Sequence, residues 1–288
     1  MAAWFWWLER VGFGRVLVLD GSIDVLAGQL PPQGFAAAPV DSFEFLALCR
    51  DSLSISADSL MWKLGEPGTE ILDLRGDEAW QAGHIPQALS FDMDEYLPAE
   101  GWPDPREARK LLSLFGPRDR DPVDLQAVFV ICGHHSWNAE PYLAWMLLKM
   151  MGVKARVLDG GFSQWREWGD RPVVRIVDDD EVVEFLEQPD EPPILLDLRG
   201  HRDWRRSHIP GSVCLPAHVF ADSLETVLEE HWPGADRGRR PMILYCYGAD
   251  CVRSRNGATL AARAGFLKLL WYRDGIEGWR AAGRPVEP

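Results

Sequence analysis

One stretch of this sequence occurs twice. Residues 72–89 read LDLRGDEAWQAGHIPQAL and residues 196–213 read LDLRGHRDWRRSHIPGSV, in register at a constant offset of 124. Composition cannot place Leu-Asp-Leu-Arg-Gly, a tryptophan and His-Ile-Pro in register, so the chain holds at least two copies of one structural unit. The same events follow each copy. An apolar run closes on a cysteine, AVFVIC at Cys132 and MILYC at Cys246. A helical stretch comes next, then a short apolar strand and a turn ending in tryptophan, Trp165 and Trp279. Cysteine and tryptophan are 33 residues apart in both copies (132 to 165, 246 to 279). The units close on related runs: Gly169-Asp170-Arg171-Pro172-Val173, and Gly283-Arg284-Pro285-Val286 with one residue fewer.

A broken third copy is read at the front. AWFWWLERVGFGRVLVLDGS, residues 3–22, lines up with AWMLLKMMGVKARVLDGG from residue 144, and Leu26 takes the tryptophan position. It is either the remnant of a decayed unit or the end of one that starts upstream; the blander alternative is an unrelated amphipathic helix. The expected division is therefore a C-terminal repeat remnant over 1–33, one full unit over 34–172 and another over 173–288.

At 288 residues the chain has room for two ordinary domains and a fragment. A net charge of −14 argues against nucleic acid or an anionic membrane as partner. Five cysteines, an odd number without scaffold spacing, favour a reducing compartment, read as the cytoplasm. The apolar start, AAWFWWLER, has no basic leader and is too short to span a bilayer, so no membrane association is expected.

The runs ILDL, VFVI, ARVL, ILLDL, MILY and LKLLWY are continuously apolar and bounded by turn residues, as in parallel strands covered on both faces. Ser56 and Asp178 carry N-cap chemistry, and Pro141 suits the first turn of a helix starting near Glu140. The stretch at 97–117 reads as a surface loop with one helix, and RPVVRIVDDD as a linker running into a helix cap. The pattern is α/β, with parallel sheets flanked by crossover helices.

These motifs resemble the rhodanese superfamily, over nearly the whole chain. The carrying residues are Asp73/Arg75 with Gly83-His84-Ile85-Pro86, Asp197/Arg199 with Ser207-His208-Ile209-Pro210-Gly211, Cys132 and Cys246, and the turns Gly160-Gly161 to Trp165 and Asp274-Gly275 to Trp279. The two-copy arrangement is similar to the tandem thiosulfate and 3-mercaptopyruvate sulfurtransferases. That resemblance implies an inactive first copy and a second copy whose nucleophile is Cys246. It further implies a small anionic sulfur donor, a persulfide, and a thiol or cyanide acceptor.

The loop after Cys246 is Tyr247-Gly248-Ala249-Asp250-Cys251-Val252-Arg253-Ser254. A thiolate is the nucleophile in sulfur transfer, and a helix N-terminus beside the sulfur favours it. Gly248 permits a tight loop, Arg253 and Arg255 can attract an anionic donor, Ser254 matches the serine at the family's helix start, and Asp250 opposes the arginines. The loop departs from the family in length: seven residues separate Cys246 from Ser254, against about five. Cys251 is open to three readings, a disulfide with Cys246, a thiol that resolves a persulfide, or a bystander.

Cys132 is a secondary candidate. Its loop has no arginine, and His134 or His135 could assist ionisation. No fourth ligand accompanies Cys132 and these histidines, so no metal site is expected. No nucleotide or phosphate-loop motif is present, so no cofactor is expected. His84 and His208 read as turn residues bonded to backbone, the Asp–Arg pairs as fold-holding, and Cys49 and Cys214 as core. The competing functions are a non-catalytic module that binds a partner or presents a persulfide, and a phosphatase. The latter needs Cys-x5-Arg, whereas six residues separate Cys246 from Arg253. Oligomeric state has no signature in the sequence.

Overall fold

The computed structural model describes residues 53–91, 126–135, 140–150, 152–167, 169–188 and 192–288. Expectations for 1–33, Cys49 and the 97–117 stretch fall outside these residues.

The two full units build the same sheet twice. In the first, strands β1 (Ser54–Ile55), β2 (Thr69–Asp73), β3 (Leu89–Ser90), β4 (Val128–Cys132) and β5 (Lys154–Leu158) lie in the order β1-β5-β4-β2-β3. In the second, β6 (Val173–Val177), β7 (Ile194–Asp197), β8 (Val213–Cys214), β9 (Met242–Tyr245) and β10 (Lys268–Tyr272) lie in the order β6-β10-β9-β7-β8. All four pairings of the second sheet are parallel, as are β2/β3, β2/β4 and β4/β5 in the first. The helices are α1 (Ala57–Met61), α2 (Asp77–Ala82), α3 (Glu140–Met150), α4 (Gly161–Glu167), α5 (Asp179–Leu186), α6 (His201–Arg206), α7 (Phe220–His231), α8 (Val252–Arg263) and α9 (Gly275–Ala281).

The continuous apolar strands are explained by burial on both faces. Leu196 and Leu244 enter one core of the second unit, and Leu195, Ile243 and Tyr245 enter the other. In the first unit Leu72 and Ile131 face one core, while Ile71, Val130 and Cys132 face the opposite one. Helix starts follow the expected chemistry. Ser56 Oγ accepts the Ser59 N–H at 3.2 Å. Asp178 and Glu181 form a reciprocal capping box.

One reading is corrected. The segment RPVVRIVDDD is not a linker: Val173–Val177 is edge strand β6, paired with β10 along its whole length. Its valines and isoleucine suit a strand, and Val174 and Val177 are buried. Val174 also closes the first unit by exchanging backbone hydrogen bonds with His84, both at 2.9 Å. Glu287 does the same for His208 in the second unit. Trp165 Nε1 donates to the Pro172 carbonyl and Trp279 Nε1 to that of Pro285, so the shared closing run has one job in both units.

Trp80 joins the two units. It belongs to the core of the second unit, meets Trp271 edge-on at 6.3 Å, and stacks on His84 at 4.3 Å. Arg255 Nη2 donates to the carbonyl of Gln87, which holds a left-handed φ of 65°. Gly211 occupies that turn position in the second unit. Gln87 is held there by its own amide, which donates to the Thr69 carbonyl and accepts the Gly65 N–H.

Two predictions follow from this packing. Trp80→Ala should cost about 3–5 kcal/mol in chemical denaturation; a cost below about 1 kcal/mol would exclude Trp80 as the joint between the units. The second concerns His84, whose Nδ1 lies 2.8 Å from the Trp80 carbonyl. Burial, opposed by that carbonyl and aided by Arg255 and Arg75, lowers its pKa to about 3. The unfolded chain therefore takes up a proton near 6.5 that the folded chain refuses. The contribution of neutral His84 is intact above pH 6.5 and erodes as pH falls toward 3, by about 2 kcal/mol at pH 5. His84→Gln should flatten the loss of denaturation free energy between pH 7.5 and pH 5 by that amount; an unchanged slope would contradict this.

Candidate active site

At the C-terminal end of each central sheet, a buried aspartate holds an arginine. Arg75 donates from Nε and Nη2 to Asp73 at 2.9 and 2.7 Å, and from Nη2 to the Gly83 carbonyl at 2.6 Å. Arg199 repeats this with Asp197 at 2.9 and 2.6 Å and with the Ser207 carbonyl at 2.7 Å. The pair clamps each strand end to its His-Ile-Pro turn, the fold-holding part expected of it. His208 Nδ1, like that of His84, sits on backbone, 3.0 Å from the Trp204 carbonyl.

The strand register separates the two cysteines. Asp73 pairs with Cys132 across β2 and β4, whereas Asp197 pairs with Tyr245 across β7 and β9. Tyr245 is therefore the counterpart of Cys132, and Cys246 is the counterpart of Gly133. The turn that closes each unit agrees. The N–H groups of Phe162 and Ser163 donate to the carbonyls of Gly133 and His134, and those of Ile276 and Glu277 to the carbonyls of Cys246 and Tyr247. The equal cysteine-to-tryptophan spacing thus conceals an offset of one residue. Strand side chains alternate faces, so the offset sends the two thiols to opposite sides of their sheets. Cys132 points into the core with Ile71, and Cys246 lies with Leu244 on the face covered by α8.

Cys132 is fully buried, and that burial, with the charge of Asp73, pushes its thiol well above the ordinary range. His135 Nε2 lies 3.5 Å from Ser163 Oγ. His134 is exposed and lines a cleft of about 900 Å³ whose other walls include Arg75, Ser163, Arg166, Arg171 and Lys268. Cys214 is core, as expected, and burial raises its thiol to about 12.

Cys246 leaves β9 into the loop that starts α8. Ser254 Oγ donates to Cys246 Sγ at 3.4 Å, and Trp271 Nε1 donates to Ser254 Oγ at 2.9 Å. The indole takes an acceptor site on the serine and turns its proton toward the sulfur. Helix α8 begins at Val252 with Cys251 as N-cap, so Ser254 is a first-turn residue rather than the helix start. Cys251 is bonded to Cys246 as a disulfide, with Cα atoms 6.5 Å apart. Arg253 is exposed, its guanidinium 5.3 Å from the Tyr247 ring centroid. Arg255, in contrast, faces away from the sulfur into the first unit.

Gly248 and Gly275 stand where the sequence motifs place them, but what they contact has no signal in the sequence. A side chain at Gly248 would come within 2.7 Å of the Glu277 carboxylate, so this glycine admits Glu277 over the loop. Gly275 has a φ of +57°, and a Cβ there would sit 2.5 Å from the Cys246 carbonyl. Gly161 stands in the same relation to Gly133 and His134. The late glycine of each turn is thus a buttress under the loop, which its distance in sequence conceals. Among the described residues, no helix is long and apolar enough to cross a membrane.

The rhodanese-like domain is matched twice, over residues 56–167 and 179–282. An HTH-type transcriptional regulator of Mycobacterium tuberculosis is 33% identical over 93 residues, which are 32% of this chain and 37% of the regulator. The chain thus spans little more than a third of that relative's length. Among solved structures, thiosulfate sulfurtransferase from Pseudomonas aeruginosa aligns over 82% of this chain and 43% of its own, at 20% identity and a TM-score of 0.33. The 3-mercaptopyruvate sulfotransferase SseA from Escherichia coli aligns over 78% of this chain and 98% of its own, at 18% identity and a TM-score of 0.35. With the repeated sheet, the clamped His-Ile-Pro turns and two family matches in tandem, this chain belongs to the rhodanese-like domain family.

Proposed function

We propose that the chain is a sulfurtransferase whose nucleophile is Cys246 in the second rhodanese-like domain. The observation that carries this reading is the position of Cys246: one residue beyond the central strand, at the mouth of a 12-residue helix, with the Ser254 hydroxyl on its sulfur. The positive end of α8 and the serine proton both favour a thiolate there. Once reduced, Cys246 attacks the outer sulfur of a donor such as thiosulfate. The donor's S–S bond breaks, sulfite leaves with the electron pair, and the sulfur stays as a persulfide. A thiol or cyanide acceptor then takes the terminal sulfur. Arg253, exposed at the loop, draws in the anionic donor, and Gly248 lets the loop close. The first domain, residues 34–172 in this reading, is non-catalytic, because Gly133 stands where the second domain has its nucleophile and Cys132 faces the core. The second spans 173–288, and 1–33 is a repeat remnant. No resident cofactor takes part, and the cytoplasm remains the expected compartment.

The test is release of sulfite from thiosulfate, or of pyruvate from 3-mercaptopyruvate, by the reduced protein. Wild type and Cys132→Ser should release one equivalent, and Cys246→Ser should release none. No release from any form with either donor would reject the enzyme in favour of a module that only binds a partner. Ser254→Ala should slow alkylation of reduced Cys246 at pH 7 by about three- to tenfold, because the thiolate loses its hydrogen bond. An unchanged rate would remove the serine from the site.

A further inference from the structure

We propose that Cys251 is a second catalytic thiol, which resolves the persulfide on Cys246 and expels its sulfur as sulfide. The inference rests on the reading of Cys246 as sulfur carrier and adds to it an outlet that needs no acceptor for the transferred sulfur. Its basis is the bond between the two side chains across a six-residue loop, Cys246 to Cys251, at a Cα separation of 6.5 Å. The bond shows that Cys251 reaches Cys246 Sγ itself. In a persulfide that atom is the inner sulfur, and the atom beyond it is the leaving group.

The surroundings suit both thiols. Cys251 caps α8, and its N–H donates to the Gly248 carbonyl at 3.0 Å, which folds the loop back on Cys246. A cysteine at a helix N-terminus is favoured as thiolate. Cys246 is almost wholly buried, whereas Cys251 is half-buried at the loop surface, so an incoming thiol meets Cys251 first. Without its two additional residues, the loop between Cys246 and Ser254 would match the family length. Those residues give room for a cysteine at the helix cap.

After sulfite has left, the enzyme carries Cys246–S–S⁻ and the Cys251 thiol. The Cys251 sulfur, giving up its proton, bonds to Cys246 Sγ, and the bond from Sγ to the terminal sulfur breaks. That sulfur leaves as hydrosulfide with the electron pair and accepts the proton. It is reduced by two electrons as the two cysteines are oxidised to the disulfide. Hydrosulfide is a better leaving group than an alkyl thiolate, which favours this direction. A dithiol then exchanges with the disulfide and restores both thiols, so the full cycle converts thiosulfate and a dithiol into sulfite, sulfide and a cyclic or protein disulfide. The disulfide form has no free thiol on this loop and is the oxidised end of that cycle.

The experiment uses the full chain, reduced and then freed of reductant under anaerobic conditions. Thiosulfate or 3-mercaptopyruvate is added with no thiol present. Sulfite or pyruvate, sulfide and non-reducing intact mass are read together. Wild type should release one equivalent each of first product and sulfide, and end two hydrogens lighter than the reduced chain. Cys251→Ser and Cys251→Ala should release the first product, retain one added sulfur, and yield sulfide only at background until an external thiol is supplied. Wild-type sulfide yield from both variants, or a wild type that holds a lasting persulfide without closing the disulfide, would overturn the assignment and leave the sulfurtransferase standing. Failure of wild type to release sulfite or pyruvate would overturn both.

Discussion

Two buried aspartates decide how each unit closes. Asp73 and Asp197 stand at the ends of central strands with no exposed surface. An unpaired carboxylate there would be costly, since removing one partner of a buried ion pair costs on the order of 3–5 kcal/mol. The arginine two residues on meets that need with a forked contact and a backbone bond besides. Its remaining hydrogen bond goes to the carbonyl just before the His-Ile-Pro turn. The same guanidinium therefore neutralises the strand end and fixes where the chain returns after the short helix. This explains why Asp-Leu-Arg and His-Ile-Pro travel together at a fixed separation in both copies.

The second dependence lies between the units. The His-Ile-Pro turn of the first unit bonds to Val174, which is also a residue of the second unit's edge strand. Trp80 enters the second unit's core, where Trp271 meets it and donates to Ser254. Ser254 in turn donates to Cys246. The first domain thus reaches the sulfur of the second through packed aromatic rings and one serine. This gives the first domain a physical role: it forms one wall of the helix that follows the Cys246 loop. Arg255, directed to the Gln87 carbonyl, serves that wall rather than the Cys246 loop.

The architecture was legible in the sequence because repetition removes ambiguity. The apolar runs became strands, the two caps formed, and both histidines sat on backbone, since each of these is set by local chemistry. Val173–Val177 was misread as linker because an edge strand is defined by its pairing with Lys268–Tyr272, nearly a hundred residues away. The site was legible in part. Counting from cysteine to tryptophan made Cys132 and Cys246 equivalent, yet the sheet register sets them one residue apart. A count cannot reveal that one loop is longer by a residue when the cysteine itself has moved by the same amount. Gly275 is legible as part of the late turn, but its contact with the loop, like that of Glu277, arises only when the chain has folded back.

That single residue decides which side chain each loop presents. Both units keep the buttressing glycine, and both donate two backbone N–H groups to the loop carbonyls. In the first, the supported position is a glycine and the nearby thiol is buried beside a carboxylate that opposes its ionisation. In the second, the supported position is the cysteine, and the aromatic Tyr245 fills the core site that Cys132 occupies in the other unit. Its hydroxyl accepts the Ile209 N–H at 3.1 Å and lies 2.9 Å from Ser212 Oγ. A buried polar tip without such partners would cost stability, so the His-Ile-Pro turn and the tyrosine are matched to each other. The cysteine one residue further out in the second unit thus goes with a longer residue at the core site and a turn that bonds it. The first unit has the small Cys132 thiol at the core site that Tyr245 fills in the second.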